Sequence, residues 1–104
     1  MAAYTVVALS NPVEGQEEEF NRWYDEVHLR GVRKVEGVVS ATRLLAAPEN
    51  VRAPQWRYLT LYQVETDNIE RVLAGMYEAA GGVDTHSSDA VDLKNAFAAV
   101  FQPI

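Results

Sequence analysis

Trp56-Arg57-Tyr58-Leu59-Thr60-Leu61-Tyr62-Gln63-Val64 is the stretch that decides the fold. Three aromatic and two β-branched residues in nine favour a strand. Both parities of that strand are apolar. Tyr58, Thr60, Tyr62 and Val64 fall on one, and Leu59 and Leu61 on the other. A strand with one face in water alternates apolar and polar residues; this one does not, so both faces of its sheet need cover.

Toward the C-terminus, Asp67-x-x-Glu70 has the form of a capping box with Asp at the cap. Ile69, Val72, Leu73, Met76, Tyr77 and Ala80 then make the apolar stripe of a helix, and Gly81-Gly82 end it. Val83 to Leu93 is polar and irregular. Asn95 to Gln102 reads as a last strand, stopped by Pro103. Toward the N-terminus, Ala46 to Gln55 is a loop with two prolines, and Val38 to Leu45 is a strand that begins after Gly37. Before it, Glu17 to about Val27 is a helix whose stripe is Phe20, Trp23, Tyr24 and Val27, continued by His28. On that spacing Phe20, Trp23 and Val27 should pack against the second helix or the sheet. Glu17, Glu18 and Glu19 crowd the first turn, and Arg30, Arg33 and Lys34 follow the other end, in keeping with the helix dipole. Tyr4 to Ser10 is the first strand, stopped at Asn11-Pro12.

The order β-α-β-β-α-β predicts an α+β, ferredoxin-like chain: one four-stranded antiparallel sheet with both helices on one face. At 104 residues it is a single domain over 1–104. The first and last strands are also apolar on both parities (Tyr4, Val6, Ala8 against Val7, Leu9; Ala96, Ala98, Val100 against Phe97, Ala99, Phe101). Two helices cover one face only. A second copy, sheet against sheet, would cover the other, unless these short strands are simply apolar near the edges.

Composition removes several function classes. With no cysteine there is no disulfide frame, thiolate zinc site, iron–sulfur cluster or cysteine nucleophile. A formal charge of −6 disfavours nucleic acid and anionic membrane surfaces as partners. No apolar run approaches the ~20 residues of a membrane span. Met1-Ala2-Ala3-Tyr4-Thr5 lacks the basic start of a signal peptide, so a cytoplasmic location is expected. No G-x-S-x-G, P-loop or G-x-G-x-x-G is present, and no cofactor is expected.

Chemistry then rests on a few side chains. His28 continues an apolar stripe, and imidazole exchanges protons near neutrality. Burial would lower its pKa; the helix C-terminus and Asp25 would raise it. Tyr24, one turn earlier, is placed to bond it, and Asp25 to orient it from the flank. The competing role is a histidine held by a backbone carbonyl at the helix end. His86 lies in a polar loop, either exposed or as an acid/base partner to His28. No H-x-x-x-H or H-x-H spacing supports a metal. Arg43 shares its strand parity with Val39, Ala41 and Leu45. It fits a clamp for a carboxylate or phenolate, or an edge arginine paired with an acid. Trp23, Tyr58 and Tyr62 suit an aromatic wall for a planar ligand, or plain core.

Phe20-Asn21-Arg22-Trp23-Tyr24-Asp25-Glu26-Val27-His28-Leu29 and Val35-Glu36-Gly37-Val38-Val39-Ser40-Ala41-Thr42-Arg43 resemble segments of the EthD-like proteins of the dimeric α/β-barrel superfamily. Trp56 to Tyr62 and Ser88-Asp89-Ala90-Val91-Asp92 are similar to other segments of such proteins, and the resemblance spans nearly the whole chain. Gly31 departs from it, since relatives often carry Asp or Pro after the histidine; the expected effect is a looser turn. The resemblance implies a homodimer in which two sheets form a barrel, with a pocket between sheet and helices in each protomer. It also implies two kinds of function. One is a cofactor-independent lyase, isomerase, cyclase or dehydratase acting on a hydrophobic aromatic, polyketide-like or lactone compound. There His28 would be the acid/base group, with Tyr24 and a strand tyrosine positioning the substrate. The other is a non-catalytic dimeric module that binds a small molecule or assists a pathway enzyme.

Overall fold

Strands form where the β-branched and aromatic residues lie: β1 (Ala2–Ser10), β2 (Val38–Leu45), β3 (Tyr58–Thr66) and β4 (Phe97–Phe101). This is seen in a computed structural model that describes residues 1–79 and 89–104. The strands make one antiparallel sheet in the order β2-β3-β1-β4. The first helix is α1 (Glu17–Trp23), which runs through a π turn (Tyr24–His28) into α2 (Leu29–Val32); the second is α3 (Ile69–Ala79). The expected ferredoxin-like arrangement is the one observed.

Register sorts the sheet into two faces. Tyr58, Thr60, Tyr62 and Val64 on β3 pair with Ser10, Ala8, Val6 and Tyr4 on β1, and Val6 and Ala8 pair in turn with Val100 and Ala98 on β4. This face meets the helices, where Phe20, Tyr24, Leu29, Val32, Val72 and Met76 complete the core. The opposite face carries Val7, Leu9, Leu44, Leu59, Leu61, Phe97 and Phe101; among the described residues no helix covers it, and Trp56 meets Phe97 at its edge.

Four local expectations are corrected. Val27 is 48% exposed and does not join the core. The cause is the π turn: Leu29 N–H donates to Tyr24 O, five residues back, so the helix takes more residues per turn there than a 3.6-residue stripe assumes. The inward positions become Phe20, Tyr24, His28, Leu29 and Val32. Val39 does not share Arg43's face. A bulge between Val38 and Ser40 resets the parity of β2, so Val38 pairs with Val64 and Ala41 with Tyr62, while Val39 is exposed.

The cap of α3 is Asn68, whose Oδ1 accepts from Arg71 N–H at 3.1 Å; Asp67 instead faces the N-terminal amine at 3.6 Å. Gly31 does not loosen a turn. It lies in α2, where a Cβ would stand 3.3 Å from Ala79 O, so its bareness lets the two helices approach. Ala80 and Gly81-Gly82, the expected end of α3, lie outside the described residues.

Candidate functional site

A cleft of about 530 Å³ opens between α3, the first helix and the β1–β4 side of the sheet. Its walls include Trp23, Tyr24, His28, Tyr62, Met76 and Ala98, with Leu9 and Phe97 at the rim. Among the described residues, no lysine, arginine, aspartate or glutamate lines it. Its polar functions come from His28, Ser10, the phenols of Tyr24, Tyr62 and Tyr77, and the Trp23 indole.

The π turn places His28 here. π turns occur mostly as single-turn insertions in α-helices, often at functional sites. This one carries the imidazole onto the inner face, where only 8% of the residue is exposed. Nε2 and Tyr62 Oη share a hydrogen bond of 2.8 Å. Trp23 stacks on the imidazole at 4.9 Å between centroids and 18° between planes, and Tyr24 meets it edge-on at 5.0 Å. Nδ1 is buried with no hydrogen-bond partner among the described residues. Burial, and then the positive charge of Arg43, lower the His28 pKa to about 4. The ring is therefore neutral at physiological pH. With the proton on Nε2 and Tyr62 accepting, Nδ1 is an unengaged lone pair. Burial, then the neighbouring Tyr24, push the Tyr62 phenol above its usual range, so Tyr62 stays protonated as well.

The expected site residues divide into two groups. His28, Tyr24, Trp23 and Tyr62 come together on the cleft. The bond to His28 comes from Tyr62 and not from Tyr24, whose Oη lies 3.3 Å from Ser10 Oγ. No backbone carbonyl holds the ring. Asp25 turns away from it and bonds Arg43.

Arg43 and Tyr58 do not line the cleft. Arg43 is engaged with Asp25 and Asn21 and lies over the rings of Tyr24 and Tyr58. Tyr58 donates to the Glu17 carboxylate and accepts from Asn21 Nδ2 at 3.3 Å. That bond, and then Arg57, hold the Glu17 carboxyl below its usual range. His86 lies outside the described residues.

Sequence reasoning missed Ser10, Met76 and Tyr77 as cleft residues. The apolar stripe of α3 signalled the last two, but as core. Nothing in the sequence marks Ser10 as opposite Tyr24.

Neither a family model nor a curated protein sequence matches the chain. Solved structures do. An EthD family protein from Bacillus halodurans C-125 superposes with a TM-score of 0.69 at 10% identity, covering 100% of both chains. The fold is that of the EthD-like proteins. A candidate monooxygenase from Shewanella loihica PV-4 superposes with a TM-score of 0.66 at 14% identity, covering 99% of this chain and 95% of the other. At these identities the EthD-like likeness is one of fold, and no residue role passes across it. Among the described residues, no helix is long and apolar enough to cross a membrane.

Proposed function

We propose that this chain is a small enzyme that moves a proton on an uncharged, planar, apolar compound, with His28 as the acid/base group. The observation that carries this reading is the neutral, buried imidazole, bonded through Nε2 to Tyr62 and left unpaired at Nδ1, in the wall of an apolar cleft. A cleft of this size suits a ligand of two or three rings. Among the described residues its lining holds no cation to pair with a carboxylate, which favours a neutral substrate.

The low basicity of His28 narrows the class further. A base with a pKa near 4 takes a proton only from an acidic carbon or hydroxyl, such as the carbon between two carbonyls in a polyketide-like compound. Nδ1 accepts that proton, and the C–H electron pair becomes the C=C of an enolate. The negative charge gathers on the carbonyl oxygen, within reach of a hydroxyl such as Tyr24 or Ser10. Nε2–H, donating to Tyr62 Oη, supports the imidazolium. The imidazolium then returns the proton to oxygen or to another carbon. The step is an isomerisation and needs no oxidant. Nδ1 is shielded by the surrounding side chains, so some of them must give way to a substrate.

The same reading takes the chain as a homodimer that pairs through the outer face of the sheet. Its support is the apolar surface left there: Leu44, Phe97 and Phe101 are 44%, 48% and 54% exposed.

Benzoylacetone, a neutral aromatic 1,3-dicarbonyl, tests the activity. Its approach to keto–enol equilibrium is followed by ultraviolet absorbance. The native protein should accelerate it, and His28→Gln should lose about 10²-fold or more of that acceleration with its melting temperature nearly unchanged. Saturable binding without acceleration would instead favour the non-catalytic module.

A further inference from the structure

The guanidinium of Arg43 is held on every side, yet it does not face the cleft. Nη1 donates to Asp25 Oδ1 at 3.0 Å and Nη2 to Asn21 Oδ1 at 2.7 Å. Its carbon lies 4.7 Å from the Tyr24 ring centroid, 5.3 Å from that of Tyr58 and 5.7 Å from that of Phe20. The side chain is only 16% exposed. Asn21 belongs to α1 and Asp25 to the π turn, so the two bonds straddle the point where the helix changes its winding. A π turn is a rare conformation that competes with continued α-helix, and an outside tie across the junction opposes that relaxation. The planar guanidinium holds two acceptors one turn apart in a fixed geometry; an ammonium could reach both but would not fix their orientation. On its other side, Tyr24 is edge-on to His28.

We propose that Arg43 is a positioning residue: by gripping Asn21 and Asp25 across the α-to-π junction it ties that junction to β2 and fixes His28 against Tyr62. This rests on His28 and Tyr62 being the working pair. It takes up the acid-paired role of the two its sequence setting allowed, and removes Arg43 from substrate contact. The titratable or charged groups around His28 are Tyr24 on its own helix, Tyr62 on β3 and Arg43 on β2, with Tyr77 of α3 on the same cleft. Arg43 is the one cation acting on the imidazole among the described residues, and its loss removes that charge.

The test is nitrogen-15 NMR of the imidazole in full-length Arg43→Met and Arg43→Lys. In Arg43→Met the amide spectrum should stay dispersed while the hydrogen-bonded Nε2 signal is lost. The His28 midpoint should rise by about one pH unit or more. Arg43→Lys should recover melting temperature but not the Nε2 signal. Should Arg43→Met fail to fold, the Asn21→Ala/Asp25→Ala double variant cuts the same two bonds with the cation left in place, and should lose the same signal.

An unchanged Nε2 signal and midpoint would overturn the proposal. So would loss of 1-naphthoate binding in Arg43→Met with His28 unmoved, which is what a carboxylate clamp would give. Benzoylacetone turnover is read separately. Where the native protein turns it over, Arg43→Met should lose on the order of 10²-fold in kcat with little change in KM. Absence of native turnover counts against the proton-transfer reading, and the NMR result still decides the role of Arg43.

Discussion

His28 and Tyr62 are bound together by mutual need. Each is buried, each is uncharged at neutral pH, and the 2.8 Å bond between them is the one contact that satisfies Nε2. Tyr62→Phe therefore leaves an imidazole with neither nitrogen bonded. It should cost about 1–3 kcal/mol, the usual penalty for a stranded buried polar group, measured by urea unfolding. The lowered pKa also makes stability depend on pH. The unfolded imidazole titrates near 6.5 and the folded one near 4. Between those values the unfolded chain binds more protons, so this contribution is fully present above pH 6.5 and is lost as pH falls toward 4. The loss is about 1.4 kcal/mol for each pH unit crossed. Unfolding at pH 7 and at pH 4.5 should show this decline in the native protein, and His28→Gln should lack it.

At the level of elements, the first helix shows what periodicity could and could not reveal. The apolar spacing from Phe20 to Tyr24 was legible, and so was His28 as an inward residue. The π turn was not, because a 3.6-residue stripe has no place for an extra residue, and Val27 was assigned to the core on that stripe. Val27→Asp should therefore change stability by less than about 0.5 kcal/mol. Val32→Ala, at a fully buried position, should cost about 0.5–2 kcal/mol or more. Finding the reverse in a thermal melt would mean that the helix keeps its α register.

Gly37 was visible only as a break, and Gly31 only as a departure from the family pattern. Their roles depend on partners distant in sequence. Gly37 has φ of +102°, and a Cβ there would stand 2.8 Å from Val72 Cγ2. Gly37→Ala should lower the melting temperature through both strain and crowding. The grip of Arg43 on Asn21 and Asp25 was hidden for the same reason: it joins residues 18 and 22 positions apart.

For the whole molecule, the ferredoxin-like arrangement was legible in the order of the elements, and the two apolar faces of β1, β3 and β4 in their parity, because side chains in a strand alternate with a period of two; β2 escaped that rule at its bulge. One of those faces is core. The other, with Leu61 near its centre, is the proposed dimer surface. Sedimentation at micromolar concentration should give twice the 11.6 kDa of one chain. Leu61→Glu should yield a folded monomer, since Leu61 points away from the helices. A native monomer would exclude the paired barrel.

The His28–Tyr62 pair lies on the helix side of the sheet, while Leu9 and Phe97 at the cleft's rim join it to the outer face, so turnover is measured in both the native protein and Leu61→Glu. The pH dependence of benzoylacetone tautomerisation, compared between the native protein and His28→Gln, tests the central claim most directly. The predicted result is a His28-dependent rate that holds down to about pH 5 and falls with a midpoint near 4. A midpoint near 6.5, or a rate that His28→Gln leaves unchanged, would contradict it.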